Sequence, residues 1–346
     1  MTKIQIDKLK FRYPGTNDPA LSSTSMEIKD GEAFAILGAS GAGKTTLLNL
    51  LSGLLKPTSG SIYFNNEPVN TLSSRDRKLA QVFQFPILYE ALSVIENLEF
   101  PLKARKFDSM FIKKRTENIL GYLEITDLQH RRIADLSLFQ KQLVSIGKSL
   151  VRPDISVVLL DEPLTAVEPS MKWKLRSTLR QIQKEQRLTM IYVTHDQTEA
   201  LTFASHVAVM DQGHILQIDT PEIIYQQPDH KFVGTFIGSP GMNFVSARSL
   251  QSTIQSPEEA QEIGFRPEWA ELSSEQVGDL SGTVKTTQLT GTTLGAPTGI
   301  TWVSTNAGEV AIKGVLSHKP ADYVSINLRQ FLAFQDQKRI TEITSV

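Results

Sequence analysis

The sequence predicts an α/β domain of parallel strands and crossover helices, followed by a smaller all-β domain. Three observations point there. A glycine-rich loop joins an apolar run to an amphipathic helix near the N-terminus. Further apolar runs then alternate with helical patterns as far as residue 235. Beyond Gly238–Gly241 helical periodicity is mostly lost, and short alternating runs rich in Thr, Ser and Val take over.

The first element is the stretch 33–55. Ala33–Leu37 is a short apolar run, the signature of a buried strand, and Leu47, Leu51 and Leu54 recur at helical spacing. Between them Gly38-Ala39-Ser40-Gly41-Ala42-Gly43-Lys44-Thr45-Thr46 fits the phosphate-loop pattern G-x-x-x-x-G-K-T. Glycines let backbone N–H groups point inward, and the helix N-terminus adds positive potential, so the loop can cradle phosphate oxygens. In such a loop the Lys44 ammonium would neutralise the β- and γ-phosphates of a nucleoside triphosphate and the Thr45 hydroxyl would ligate Mg²⁺.

Upstream, residues 2–31 read as a strand, a turn at Tyr13-Pro14-Gly15 and a second strand near Ser23–Ile28. Tyr13 sits shortly before the phosphate loop, where it could either stack on a nucleobase or serve as a packing aromatic. Lys56–Gly60 is a turn and Ser61–Phe64 a strand. Residues 79–84 read as a strand ending in Gln84, which could ligate Mg²⁺ and orient an attacking water or simply be structural. Residues 93–150 are dominated by helical patterns such as Ile112–Leu123, consistent with a helical subdomain over about 85–150. Ile155–Leu160 is a continuous apolar run, hence a fully buried parallel strand, and it ends in Asp161-Glu162-Pro163. Downstream of a phosphate loop, such an acidic pair suits Asp161 to Mg²⁺, through water, and Glu162 to polarising the attacking water.

Glu168-Pro169 opens an amphipathic helix with proline at its first position, with Met171, Leu175, Leu179 and Ile182 as its apolar stripe. Thr189–Thr194 is another buried strand, ending in His195-Asp196, so His195 could reach the γ-phosphate. Val207–Met210 and Ile215–Ile218 flank Asp211-Gln212-Gly213, a hairpin signal. From 242 onward, runs such as 283–286, 299–304 and 324–328 suggest a small barrel of short strands.

Bulk composition bounds the function. A length of 346 residues suits two domains, and 40% hydrophobic with 21% charged residues is ordinary for a globular chain. Lys+Arg 36 against Asp+Glu 37 gives a net charge of −1, with no basic surplus to favour nucleic acid as the main partner. Cysteine is absent, which excludes disulfides and cysteine metal sites and fits a reducing compartment. No apolar run approaches the roughly 18 residues of a membrane helix, and the N-terminus lacks a signal-peptide core. The expectation is a cytosolic chain that reaches a membrane only through a partner.

Taken together, the motifs resemble the ATP-binding subunit of ABC transporters, an α/β P-loop NTPase. Gly38–Thr46 matches the family's Walker A loop, Val82-Phe83-Gln84 its Q-loop, Val157–Pro163 its Walker B and Thr194-His195-Asp196 its switch histidine. Tyr13 falls where the family has an adenine-stacking aromatic. Leu88-Tyr89, Leu92-Ser93-Val94 and Glu96-Asn97-Leu98 resemble the sugar-importer branch, the maltose and glycerol-phosphate type. So do Gly238-Ser239-Pro240-Gly241-Met242-Asn243-Phe244 and Gly264-Phe265-Arg266-Pro267-Glu268. The resemblance implies an ATPase with ATP and Mg²⁺ as ligands, a cassette over 1–237 and a regulatory TOBE-like, OB-like β-barrel over 238–346. It also implies transmembrane permease subunits as partners, a periplasmic or extracellular solute-binding protein acting indirectly, and a peripheral place on the cytoplasmic face of the membrane.

The chain departs from that family in two places. The family signature Leu-Ser-Gly-Gly-Gln corresponds to Leu136-Ser137-Leu138-Phe139-Gln140. In the family two cassettes pair head to tail, and Ser137 and Gln140 would cap the ATP held by the other cassette. Leu138 and Phe139 put bulk where glycine lets backbone approach the γ-phosphate. The loop after Walker B, Thr165-Ala166-Val167-Glu168, carries Glu168 where the family has aspartate. The expectation is an asymmetric heterodimer with a second ATPase subunit and glycerol as a plausible solute. The alternatives are a homodimeric importer ATPase for another solute or a regulatory cassette with little activity. A soluble ABC protein of translation or repair is disfavoured, because neither a second cassette nor a long coiled-coil insertion is present.

Overall fold

In this computed structural model the described residues are 2–345, apart from 166, 251–256, 275–277 and 294. The chain divides into two units between Pro221 and Glu222.

In the first unit, β1 (Ile4–Phe11) and β2 (Leu21–Ile28) form a hairpin whose alternating burial puts Ile4, Ile6, Leu9 and Phe11 inward. After β3 (Ala33–Gly38) and helix α1 (Lys44–Ser52), strands β4 (Ser59–Phe64) and β5 (Glu67–Pro68) complete an antiparallel sheet of order β2-β1-β4-β5. Strand β6 (Leu79–Val82) leads into three helices, α2 (Val94–Lys103), α3 (Ser109–Tyr122) and α4 (Leu138–Leu150). Strand β7 (Val157–Asp161), helix α5 (Pro169–Gln186), strand β8 (Thr189–Thr194) and helix α6 (Gln197–Phe203) follow. The hairpin of β9 (His206–Asp211) and β10 (His214–Asp219) closes the series, turning through positive φ at Gln212 and Gly213 as Asp211-Gln212-Gly213 predicts.

The main sheet runs β10-β9-β3-β8-β7-β6, parallel from β9 to β6. Strands β3, β7 and β8 are buried along their whole length because helices cover both faces, which is why their sequences read as unbroken apolar runs. Leu47, Leu48, Leu50 and Leu51 of α1 pack between this sheet and the antiparallel one. Helices α2, α3 and α4 occupy most of residues 94–150. Two expectations shift. The strand expected over 79–84 stops at Val82, and Gln84 lies on the exposed loop beyond it. On α5, Met171 is only half-buried, while Arg176 and Gln183 join Leu175, Leu179 and Ile182 inside.

The second unit begins within the helix α7 (Pro221–Gln226), followed by α8 (Lys231–Phe236). The remainder is all-β, as expected. Strands β11 (Asn243–Ser246), β12 (Glu262–Phe265) and β13 (Ala270–Ser273) precede the long hairpin of β14 (Leu280–Thr293) and β15 (Ala296–Thr305). Then come β16 (Gly308–Val315), β17 (Tyr323–Leu328), β18 (Gln330–Gln335), β19 (Lys338–Arg339) and β20 (Thr344–Ser345). They form two five-stranded sheets, one of order β11-β12-β18-β19 with β20 on β18, the other of order β13-β17-β14-β15-β16. Both sheets contribute to one core, including Ile263, Phe265 and Leu332 from one and Val284, Val303 and Ile326 from the other.

Candidate functional site

The parallel strands β3, β7 and β8 lie side by side in register, so their C-terminal ends deliver Gly38, Asp161 and Thr194 to one edge of the sheet. Ligands of open α/β sheets bind at such edges. The glycine-rich loop spans the gap to α1. At Gly43, the N-cap of α1, φ is +98°, and an added Cβ would sit 2.6 Å from the Ala20 carbonyl oxygen, so no other residue fits. A Cβ on Gly38 would meet the Met210 carbonyl oxygen at 2.3 Å. Ala42 is buried and its carbonyl accepts from Gly213 N–H at 3.1 Å, while Ser40, Gly41 and Thr45 stay exposed on the rim.

Lys44 is buried to 5% exposure, and its Nζ donates to the carbonyls of Gly38 at 2.8 Å and Ala39 at 2.9 Å. Two of its three N–H groups are thus held by the loop itself, which fixes the ammonium and leaves a third for an anion. Burial pushes its pKa down, opposed by the charges of Glu162 and Asp161. Thr45 Oγ1 donates to Asp161 Oδ1 at 3.2 Å, bringing together two oxygen ligands that are 116 residues apart in sequence. Burial raises the Asp161 pKa, and the neighbouring Glu162 charge raises it further, against the Thr45 hydrogen bond and the Lys44 charge. This hard-oxygen pair fits Mg²⁺, which takes few protein ligands and completes its shell with water and phosphate oxygens. Among the described residues no cluster of three or more His, Asp or Glu forms a self-sufficient metal site.

Glu162 follows directly, its backbone at φ +45°. That conformation costs a non-glycine residue on the order of 1–3 kcal/mol, and such strain clusters at functional sites. The Glu162 N–H donates to Val193 O at 2.9 Å, which pins this turn to β8. Glu162 Oε2 lies 3.1 Å from His195 Nδ1 and accepts from Thr165 Oγ1 at 3.2 Å. His195 is 53% exposed, so its ring remains reachable from solvent.

Tyr13 is placed as a packing aromatic whose ring is left partly open. Its ring packs edge-on against Phe11 at 4.8 Å and stays 41% exposed, and its hydroxyl pairs with Thr46 Oγ1 at 3.0 Å, anchoring it beside the start of α1. Gln84 is exposed and makes no hydrogen bond among the described residues, so nothing joins it to Thr45 or Asp161. Ser137 and Gln140 form a capping box at the start of α4: Gln140 N–H donates to Ser137 Oγ at 3.2 Å and Ser137 N–H to Gln140 Oε1 at 3.0 Å. Leu138 is 47% exposed on the same turn. Of the loop after Walker B, Ala166 lies outside the described residues, and Glu168 is the exposed residue preceding α5.

Sequence reasoning missed two supports. Thr165, three residues after Glu162, holds its carboxylate; the spacing was visible but carries no specific signal. Glu199 on α6 is 3% exposed and accepts from Lys172 at 2.8 Å, Tyr192 at 3.0 Å and Thr194 at 3.0 Å, stiffening the strand that presents His195.

Comparison with known proteins places this geometry. The ABC transporter family matches residues 21–165. The chain is 38% identical over 252 residues to the sn-glycerol-3-phosphate import ATP-binding protein UgpC of Chromobacterium violaceum, covering 73% of this chain and 68% of that protein. It is 37% identical over 255 residues to the oligosaccharides import ATP-binding protein MsmX of Bacillus subtilis, covering 74% and 69%. It is 39% identical over 234 residues to the trehalose/maltose import ATP-binding protein MalK of Thermococcus litoralis, covering 66% and 63%. Among solved structures it is similar to cbiO1 of Clostridium perfringens, part of an ABC transporter complex, with a TM-score of 0.60 and 32% identity over 64% of this chain and 89% of that one. It is also similar to a dimeric ATP-binding cassette in a post-hydrolysis state with ADP and Pi, with a TM-score of 0.58 and 27% identity over 63% and 98%. The loop around Lys44, the acidic pair at the end of β7, the histidine at the end of β8 and these relatives agree: the chain belongs to the ABC transporter family, as an ATP-hydrolysing subunit of the importer branch that includes the maltose and glycerol-3-phosphate proteins.

Proposed function

We propose that this chain powers uptake of a small sugar or polyol, such as glycerol or glycerol 3-phosphate, through a separate transmembrane permease. The observation that carries the reading is the convergence of Lys44, Thr45, Asp161, Glu162 and His195 on one sheet edge. The loop Gly38–Thr46 holds the triphosphate, and Tyr13, anchored through Thr46, offers its exposed ring face to adenine. Thr45 and Asp161, with Gln84 brought in from its loop, would hold Mg²⁺, which would supply charge neutralisation for the phosphates. Glu162 accepts a proton from the attacking water, and Thr165 and His195 hold its carboxylate in place.

Coupling to the permease runs through the helical subdomain. A groove of about 430 Å³ beside the 83–89 loop presents Ile87, Tyr89 and Phe100, all exposed, next to Lys148 and Arg105. That apolar floor with a cationic rim suits a short helix from a membrane protein. No helix among the described residues is long and apolar enough to cross a membrane, so a peripheral place on its cytoplasmic face follows from this partner. An extracellular or periplasmic solute-binding protein acts indirectly, on the permease, and the β-rich tail from 238 serves as a regulatory TOBE-like domain.

The degenerate signature supports pairing with a second, different ATPase. Leu138 and Phe139 occupy glycine positions of the family motif, and Ser137 and Gln140 spend their side chains on each other. In a pair of identical copies both nucleotide sites would carry this defect. In a heterodimer the partner supplies an intact signature to the ATP held by Lys44. The test is ATPase activity of the purified chain alone and with candidate partner ATPases and permease. Negligible activity alone that is restored by the second ATPase is the expected result. Full activity of the chain by itself would rule the heterodimer out in favour of a tolerant homodimer, and ATP binding without turnover in every combination would favour a regulatory cassette.

A further inference from the structure

Helix α5 carries a second stripe, opposite its apolar one. Trp173, Ser177, Arg180 and Lys184 follow one another at three- and four-residue spacing, with the buried Arg176 at the inner edge of the stripe. They line a groove of about 520 Å³ between α5 and Thr202 near the end of α6, remote in sequence from the phosphate loop. Trp173 is 70% exposed, the most exposed aromatic side chain in the first unit. A basic helix face is ordinarily just solvated. Arg176 separates this one from the ordinary case.

Arg176 is 9% exposed, and its buried Nε has no hydrogen-bond partner among the described residues. A buried charged N–H without an acceptor is costly, and folded chains avoid it unless something supplies one. The buried carboxylate on α6, Glu199, does not do so: its oxygens are taken by Lys172, Tyr192 and Thr194. Glu185 borders the groove, but Gln181 Nε2 holds its carboxylate at 2.8 Å and Tyr122 bonds to it as well. Among the described residues the one hydrogen bond of Arg180 goes to the neutral Gln183 Oε1, at 2.9 Å, with the Glu32 charge near enough to favour its charged form. Arg176, Arg180 and Lys184 against Glu185 leave the groove with a cationic surplus, and the Trp173 ring gives it one apolar wall.

We propose that this groove is a binding site for a phosphate-bearing anion, separate from the nucleotide site. Guanidinium groups match the oxygens of a phosphate in fork geometry, and Ser177 adds a hydroxyl. The carbon part of a phosphate ester would lie against Trp173. Free phosphate and a small phosphate ester share the chemistry, and the two are separable by affinity.

The experiment titrates the full chain, its Lys44 site saturated with ADP, with inorganic phosphate, glycerol 3-phosphate and, as the uncharged control, glycerol, following tryptophan emission. A saturable change with either anion and none with glycerol is expected, and the change should vanish in Trp173→Phe. Arg176→Gln and, independently, Arg180→Gln should each weaken binding by roughly tenfold or more, the loss expected for a charged hydrogen bond. Lys184 is exposed and Arg180 half-buried, so Arg180→Gln and Lys184→Gln carry the test if Arg176→Gln does not fold. Tighter binding of glycerol 3-phosphate than of phosphate assigns the ester, and equal binding assigns free phosphate. No saturable change with either anion up to about 10 mM, or affinities unchanged in the arginine variants, would overturn the site.

Discussion

At the scale of single residues, the site combines groups whose burial works against the chain until a ligand arrives. Asp161 is 7% exposed, and its pKa is raised, with burial the largest cause. A carboxyl group with a raised folded pKa favours folding when protonated, so its contribution is present below the ordinary carboxylate range and is lost as pH rises through the folded value. At neutral pH the charged form is therefore a burden. Asp161→Asn should raise the nucleotide-free melting temperature by a few degrees at pH 7, with the gap to wild type closing toward pH 4, while ATP turnover collapses; melts across that pH range check it. Lys44→Ala should weaken ATP binding by roughly ten- to a hundredfold, read by calorimetry, because it removes a charge-assisted donor fixed by the Gly38 and Ala39 carbonyls. Lys44, Thr45, Asp161 and Glu162 were legible in the sequence because each stands at a strand end or loop with a fixed spacing. Thr165 and Glu199 were not, because Ser, Thr and Glu are common and only the fold shows which carboxylate they serve.

At the scale of elements, the parallel strands were the easiest to read, because strands buried on both faces leave unbroken apolar runs. The strand ending at Val82 looks two residues longer in the sequence because Phe83 continues the apolar pattern of β6, although pairing stops at Val82. The capping box at Ser137 and Gln140 reads as an ordinary helix start, and it shows how a signature segment with altered glycines keeps a well-formed helix. Replacing Leu138 and Phe139 together by glycine should raise the ATPase activity of the chain purified alone by at least about tenfold, given that misplacement near 1 Å can cost about a hundredfold. Unchanged activity in that variant would mean the substituted signature is not what limits turnover. In the second unit, Arg266 is fully buried and donates to the carbonyls of Tyr225, Gly234 and Ile237, with its guanidinium 4.2 Å from the Tyr225 ring centre. Burial lowers its pKa to about 10, which still leaves it charged at neutral pH. The sequence marked Arg266 only by resemblance; the structure gives it the work of tying α7 and α8 to β12. Arg266→Leu should cost at least about 3 kcal/mol by orphaning those carbonyls, measured by denaturant unfolding.

At the scale of the whole molecule, in the proposed function the chain holds a triphosphate at the sheet edge, meets a permease at the 83–89 groove and transmits motion between them through the helices at 94–150. Ile87→Asp should leave ATP binding unchanged and reduce permease-coupled uptake severalfold, read in vesicles, because it places a charge on the apolar floor of the 83–89 groove. The most direct measurement of the account compares wild type with Glu162→Gln in the reconstituted importer, recording ATP binding and ATP turnover on the same samples. The account predicts binding within about twofold of wild type and turnover lower by between about a hundredfold and ten-thousandfold, the range for loss of a positioned base. Turnover that survives Glu162→Gln would contradict it.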